Sequence, residues 1–297
     1  MRAFITGAAG FVGRHLAPRL EAAGYEVVGR DQELDVTDAA VLDAEIGRVS
    51  PDVVLHLAAQ SSVAKALKTE NLTYRVNFVG ARNLLEAVAR RAPGARVLLV
   101  SSGDVYGLAQ PESPPFSEDA PLRPRSAYAR GKACADLLGA TYARRGLDVV
   151  RVRPFSHTGP GQSETFVAPS FARQAVQIAA GRREAKLLVG NLDSIRDFLD
   201  VEDVVEAYLR LLDRNVPAGV YNVASGVGRR VGDLLEGLLH RAGVAPHIEV
   251  DAERLRPADR AVGDATRLRR ATGWEPKVPF ERTLDRVIGD WRERAAA

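Results

Sequence analysis

Short apolar runs alternate with longer segments of helical periodicity in the first half of this sequence. No other feature restricts its fold as strongly. The runs show little polar alternation, which is typical of strands buried on both faces of a parallel sheet. We therefore expect a doubly wound α/β architecture, in which right-handed crossovers place helices on both faces of the sheet. The predicted strands are 2–6, 25–29, 52–57, 96–101 and 148–153, and the predicted helices are 11–23, 39–48, 72–91 and 127–145.

The character of the chain changes after Pro154. Residues 156–163 include Gly159-Pro160-Gly161, which predicts a loop. The helices predicted beyond it are 165–180, 201–213, 231–241 and 280–294. We predict a first domain over 1–155 and a smaller α/β domain over 156–297, from which some segments return to the first. Because no low-complexity linker separates the two, they should pack closely around a cleft.

A glycine-rich turn directly follows the first predicted strand. Its glycines are Gly7, Gly10 and Gly13, and Phe11 and Val12 lie between the last two. Glycines allow a backbone to approach a pyrophosphate, and the following helix N-terminus attracts its negative charge. The turn therefore predicts a Rossmann domain that binds a dinucleotide here.

The end of the second predicted strand leaves the choice between NAD and NADP open. Asp31 can bind the hydroxyls of the adenosine ribose, which favours NAD. Arg30 beside it could receive a 2′-phosphate, which favours NADP. Asp35 and Val36 follow closely and are candidates for contact with adenine.

Tyr128 and Lys132 are the strongest candidates for catalysis. They are four residues apart in a predicted helix, so they share one face of it. A nearby ammonium favours the phenolate, and we expect it to lower the pKa of the tyrosine. Ser102 closes the fourth predicted strand, and strand ends of this kind face the cleft of such sheets.

Composition excludes several other classes of protein. Hydrophobic residues make up 46% of the chain and charged residues 27%, as in ordinary globular proteins, and no apolar run is long enough to span a membrane. The 41 basic and 38 acidic residues are interspersed, which argues against nucleic-acid binding. The single cysteine, Cys134, has no evident activating partner and suits a reducing cytoplasm, where we expect the protein to be located.

Taken in order, these motifs resemble those of the extended short-chain dehydrogenase/reductases. The matching residues are Gly7, Gly10, Gly13, His56-Leu57-Ala58-Ala59, Asn77, Ser102, Tyr106-Gly107, Tyr128, Lys132 and Arg153-Pro154. The resemblance implies that Leu57, Ala58, Ala59, Asn77 and Pro154 lie at the cofactor. It also implies that Ser102, Tyr128 and Lys132 act together and that the protein is a homodimer.

The second half of the chain narrows the resemblance to the GDP-mannose 4,6-dehydratase branch. The segments that carry it are 58–63 in the first half, and 153–162, 189–208, 256–259 and 272–276 in the second. It implies a GDP-linked 6-deoxy-hexose substrate. The residues expected to bind the substrate are Ser102, Asp104, Ser156, Val167, Arg196, Arg256 and Asp259, with the two arginines as candidates for the diphosphate.

Two departures from that branch bear on the reaction. Dehydratases of the branch have threonine and glutamate where this chain has Ser102 and Asp104, and the chain is short for a dehydratase. Both points favour the related reductase, which forms GDP-rhamnose. Ser156 also replaces the usual asparagine. The alternatives are a dehydratase with Asp104 as its base, a nucleotide-sugar epimerase and a cofactor-binding protein without catalysis.

Overall fold

The structure is a computed structural model that describes residues 1–61, 69–110, 112–252, 255 and 257–296. The strands are β1 Arg2–Thr6, β2 Glu26–Arg30, β3 Val53–His56, β4 Arg96–Val100, β5 Val149–Pro154, β6 His157–Thr158, β7 Lys186–Val189, β8 Ile195–Asp197, β9 Leu199–Asp200, β10 Val220–Val223, β11 Gly228–Arg230, β12 His247–Val250 and β13 Arg260–Ala261. The helices are α1 Phe11–Ala22, α2 Ala39–Val49, α3 (residues 70–91), α4 Ala127–Arg144, α5 Val167–Ala179, α6 Val201–Leu211, α7 Val231–Ala242, α8 Thr266–Thr272 and α9 Phe280–Ala296.

The central sheet is parallel and, in the described part of the chain, has six strands in the order β2-β1-β3-β4-β5-β10. Alternate strand residues enter two separate cores. Ile5 and Leu55 pack on the side of α1 and α6, whereas Phe4 and Val54 pack on the side of α2 and α3. Burial on both faces explains why these strands read as continuous apolar runs. The predicted doubly wound fold is confirmed.

The helix α3 is irregular at its centre. It consists of Glu70–Tyr74, a π-helical turn over Arg75–Val79 and a regular segment over Gly80–Arg91. Turns of this type occur often at functional sites. Here the turn carries Asn77, which is buried against α4.

The second half of the chain contributes to both parts of the molecule. The strand β10 pairs with β5 in the central sheet, and α6 packs against α1. A separate core joins α5, α7 and α9 with β7. The division near residue 155 stays a prediction, and β10 and α6 are segments that return across it.

A small sheet of β11, β8 and β13 belongs to the same half. Its middle strand carries Arg196, and Asp259 immediately precedes β13. Among the described residues, no helix is both long and apolar enough to cross a membrane.

Candidate active site

The predicted turn for a dinucleotide lies at the carboxyl end of β1. Gly7 has a φ of +74°, which a side chain would strain, and a β-carbon there would lie 2.7 Å from the Ala58 nitrogen. A β-carbon at Gly13 would lie 2.4 Å from the Ala8 carbonyl oxygen. The turn therefore packs against its neighbours as only glycine permits, and it leads into the N-terminus of α1. This arrangement fits a bound pyrophosphate.

The first turn of α1 is fixed by packing. Phe11 stacks on His157, with ring centroids 6.0 Å apart, and Val12 packs against the core on that face of the sheet. Gly10 precedes the helix, and its amide donates to the Gly7 carbonyl at 3.1 Å. The side chains of Phe11 and Val12 are thus occupied by packing. Only the backbone of these two residues lies at the turn.

The residues after β3 form the opposite wall of this turn. Thr6 Oγ1 lies 2.7 Å from His56 Nδ1 and accepts a hydrogen bond from the Ala58 amide at 3.3 Å. Burial, with a smaller effect from the charge of Lys132, lowers the pKa of His56 to about 3, so its ring is neutral. The sequence motif contained His56 but gave it no role. In the structure it joins β1 to the Leu57–Ala59 segment.

Asn77 holds the end of the same segment. Its Oδ1 accepts from the Gln60 amide at 2.8 Å, and its Nδ2 donates to the Gln60 carbonyl at 3.2 Å. A β-carbon at Gly131 would lie 3.1 Å from that of Asn77, so α4 approaches α3 closely here. Asn77 therefore positions the backbone of the segment that follows β3. Sequence reasoning missed Gln60, which directly follows the Ala58-Ala59 pair.

Arg30 and Asp31, the two candidate cofactor residues at the carboxyl end of β2, have different hydrogen-bond partners. Asp31 turns toward the glycine-rich turn, where its Oδ2 accepts from the Ala9 amide at 2.9 Å. Arg30 instead donates from Nε to Glu45 Oε1 at 2.7 Å. Asp35 is exposed, whereas the Val36 side chain is buried in the core against Gly80. The Val36 side chain therefore belongs to the core, and contact of Asp35 and Val36 with adenine stays a prediction.

Ser102 and Tyr128 meet at the end of β4. Ser102 is buried, its Oγ accepts from the Asp104 amide at 3.1 Å, and it hydrogen-bonds the Tyr128 hydroxyl. The helix α4 begins beside them because Ser126 Oγ caps it by accepting from the Ala129 amide at 3.1 Å. The structure thus joins two predicted catalytic residues that are 26 positions apart.

Lys132 lies one turn beyond Tyr128 on the same face of α4, as predicted. It is 3% exposed, and its Nζ donates to the Val100 carbonyl at 2.7 Å. Burial lowers the pKa of Lys132 to about 8. The buried ammonium is therefore held at the end of β4, beside Ser101 and Ser102.

The expected lowering of the tyrosine pKa was wrong for this structure. Burial around its hydroxyl raises the pKa of Tyr128, and the charge of Asp104 raises it further, while the Ser102 hydrogen bond acts in the opposite direction. Lys132 directs its ammonium at the Val100 carbonyl and does not offset the burial. Tyr128 is consequently protonated near neutral pH.

A group of charged side chains lies near Ser102 and consists of Asp104, Arg196 and Asp259. Arg196 Nη2 donates to Asp259 Oδ1 at 2.7 Å, and Ser194 Oγ donates to the same oxygen at 2.9 Å. Asp104 is solvent-exposed, yet the surrounding protein raises its pKa. The charge of Arg196 lowers that pKa, and the charge of Asp259 raises it. Three predicted substrate residues are therefore close enough to affect one another.

The remaining candidates are less closely connected. Pro154 is buried and is the last residue of β5. Two residues later, the Ser156 carbonyl accepts a hydrogen bond from the Leu199 amide at 2.9 Å. Val167 begins α5 and is 37% exposed. Arg256 lies outside the described residues. Among those that are described, no group of His, Cys, Asp and Glu could hold a metal ion.

A Rossmann sheet with a glycine turn beside a serine–tyrosine–lysine group defines an oxidoreductase-type site on a dinucleotide fold. Residues 3–224 match the NAD dependent epimerase/dehydratase family, and the chain belongs to that family. It is 38% identical to a GDP-6-deoxy-D-mannose reductase of Pseudomonas aeruginosa over 99% of this chain and 98% of the relative.

Two other comparisons show the range of the family. The chain is 32% identical to a UDP-glucose 4-epimerase of Mycolicibacterium smegmatis, with 99% of this chain and all of the relative covered. The solved structure of RMD from Pseudomonas aeruginosa complexed with NADPH superposes with a TM-score of 0.90 at 37% identity, covering 99% of each chain. The family thus includes enzymes that act on different nucleotide sugars.

Proposed function

We propose that this protein uses NADH or NADPH to reduce the C4 ketone of GDP-4-keto-6-deoxy-D-mannose, forming GDP-D-rhamnose. The observation that carries the proposal is the geometry at the end of β4, where the Tyr128 hydroxyl meets Ser102 and the Lys132 ammonium is held by the Val100 carbonyl. A reductase needs a proton donor at this position, and the Tyr128 phenol can supply that proton. The full-length similarity to the Pseudomonas aeruginosa reductase supports the same direction.

The residues have distinct roles in this reaction. The turn from Gly7 to Gly13 would hold the pyrophosphate, and Asp31 the adenosine ribose. When bound, the reduced nicotinamide supplies the hydride for C4 and is itself oxidised. Tyr128 gives its hydroxyl proton to the C4 oxygen, and Ser102 donates a hydrogen bond to that oxygen as negative charge develops on it.

Lys132 and Arg196 contribute positive charge at two separate places. The Lys132 ammonium is held at the end of β4 by the Val100 carbonyl. From that position it would bind the nicotinamide ribose. Arg196 is held by Asp259 close to Asp104, and its planar guanidinium would suit a substrate diphosphate. Arg256 is a second candidate for the diphosphate from the sequence alone.

An assay with two substrates distinguishes the reductase from the dehydratase. We expect NADH or NADPH to be oxidised only when the 4-keto sugar is supplied, with GDP-rhamnose as the product by NMR. GDP-mannose alone should not be consumed. Consumption of GDP-mannose without added reduced cofactor would instead identify a dehydratase that uses Asp104 as its base. Interconversion of nucleotide sugars without net oxidation would identify an epimerase.

A homodimer is the second part of this proposal. The helices α3 and α4 pack side by side and expose large apolar residues, Leu72 at 47% and Leu137 at 57%. Pairing of this surface with its copy would bury them.

Light scattering tests the dimer. We expect a dimer for the wild type and a monomer for Leu137→Glu. Leu108→Glu, which also replaces an exposed apolar residue, should leave the dimer intact. A monomeric wild type would contradict this. The cytoplasmic location stays a prediction from the sequence.

A further inference from the structure

The Arg30 guanidinium binds a side chain of α2, whereas the neighbouring Asp31 binds the glycine-rich turn. Its Nε donates to Glu45 Oε1 at 2.7 Å, and its Nη1 donates to the Gly29 carbonyl at 2.8 Å. Glu45 belongs to α2, and its side chain is only 14% exposed. A partly buried ion pair with a short hydrogen bond holds a guanidinium more firmly than an exposed pair does.

A second arginine keeps Glu45 in place for this contact. Arg48 donates from Nε and Nη2 to the two oxygens of the Glu45 carboxylate at 2.8 and 2.7 Å. This hydrogen bonding, with the charge of Arg30, lowers the pKa of Glu45, so the carboxylate is ionised at neutral pH. Arg30 therefore has a fixed, charged partner that does not depend on a ligand.

Two carboxylates follow directly after β2, at the glycine-rich turn. Asp31 accepts from the Ala9 amide within that turn, and Glu33 Oε1 accepts from the Asp31 amide at 3.0 Å. Ribose hydroxyls can donate hydrogen bonds to a carboxylate in this position. A 2′-phosphate would bring nearly two negative charges against the same groups and would be repelled.

We propose that this chain binds NADH in preference to NADPH, and that Glu45 determines the preference by holding Arg30 away from the adenosine ribose. This proposal rests on one part of the proposed function, namely that a nicotinamide dinucleotide binds at the glycine-rich turn. The solved structure of RMD from Pseudomonas aeruginosa contains NADPH, so binding of both cofactors must be measured for this chain.

Calorimetric titration of the full-length protein with NADH and with NADPH, without any sugar, tests the proposal. For the wild type we expect NADH to bind at least about tenfold more tightly, the effect of one charge-assisted contact. Glu45→Gln preserves the size of the side chain but releases Arg30. It should raise the affinity for NADPH by about tenfold and change that for NADH by less than about twofold.

Matched variants separate this effect from a general disturbance of α2. Asp43 on the same helix binds Arg90 and Arg91 in a similar way, and Asp43→Asn should leave both affinities unchanged. Arg30→Ala added to Glu45→Gln should remove the gain for NADPH. Arg30→Ala alone should not weaken NADPH binding, and this variant keeps the test valid if Glu45→Gln does not fold.

Three results would overturn the proposal. They are equal or tighter binding of NADPH by the wild type, no gain for NADPH in Glu45→Gln, and loss of NADPH binding in Arg30→Ala. A protein that binds NADH as expected but reduces no 4-keto sugar would instead contradict the proposed reaction, and the assignment of Glu45 would stand.

Discussion

Replacing Tyr128 by phenylalanine should reduce kcat for the 4-keto sugar by about a thousandfold, within the usual range for loss of a general acid. The phenol is the protonated group that meets Ser102 at the end of β4, and its removal leaves the developing C4 alkoxide without its proton donor. The ring itself is retained, so the packing of α4 should be preserved. Steady-state kinetics with the purified variant measures the effect.

Cofactor binding shows whether this loss is chemical. Tyr128→Phe should bind NADH within about threefold of the wild type, since Lys132 and the glycine-rich turn remain in place. Tyr142→Phe on the same helix is the matched control, because Tyr142 lies near the far end of α4 and should be replaceable with kcat unchanged. Full turnover by Tyr128→Phe would show that another group protonates C4.

The central sheet could be predicted because local sequence determines it. Strands buried on both faces must be apolar throughout, so β1, β3, β4 and β5 were each located to within one or two residues. The strand β10 was not predicted. Its place beside β5 depends on pairing between segments almost 70 residues apart, and sequence periodicity gives no sign of such a contact.

Sequence spacing predicted which candidate residues lie together at the end of β4, but it did not predict the electrostatics there. Spacing along a helix correctly placed Tyr128 and Lys132 on one face. The tyrosine pKa, however, depends on burial and on Asp104, which tertiary packing brings close. In the same way, Arg30 and Asp31 are neighbours in sequence, but Glu45 binds only the first of them. The π-helical turn at Asn77 lies against Gly131 of α4, and helical spacing along α3 gave no sign of that contact.

Loss of the Asp136 carboxylate should produce the largest change in stability. Asp136 is fully buried on α4 and accepts from Arg151 Nη1 at 2.9 Å, and from Arg153 Nε at 2.7 Å and Nη2 at 3.1 Å. Arg153 also donates to the Tyr106 hydroxyl at 2.8 Å, and that hydroxyl donates to Asn222 on β10 at 2.7 Å. One carboxylate therefore anchors hydrogen bonds that join α4, β5 and β10.

Asp136→Ala leaves the Arg153 guanidinium buried without its counter-charge, and removing one partner of a buried pair costs about 3–5 kcal/mol. We expect the free energy of unfolding, measured by urea titration, to fall by that amount. Glu86→Ala is the control, because its pair with Arg82 on α3 is exposed and should contribute about 0.5 kcal/mol or less. Equal losses in the two variants would show that Asp136 does not carry the network. If Asp136→Ala loses a large part of its free energy of unfolding but still binds NADH at low temperature, then Asp136 stabilises the fold and takes no part in the chemistry at Tyr128.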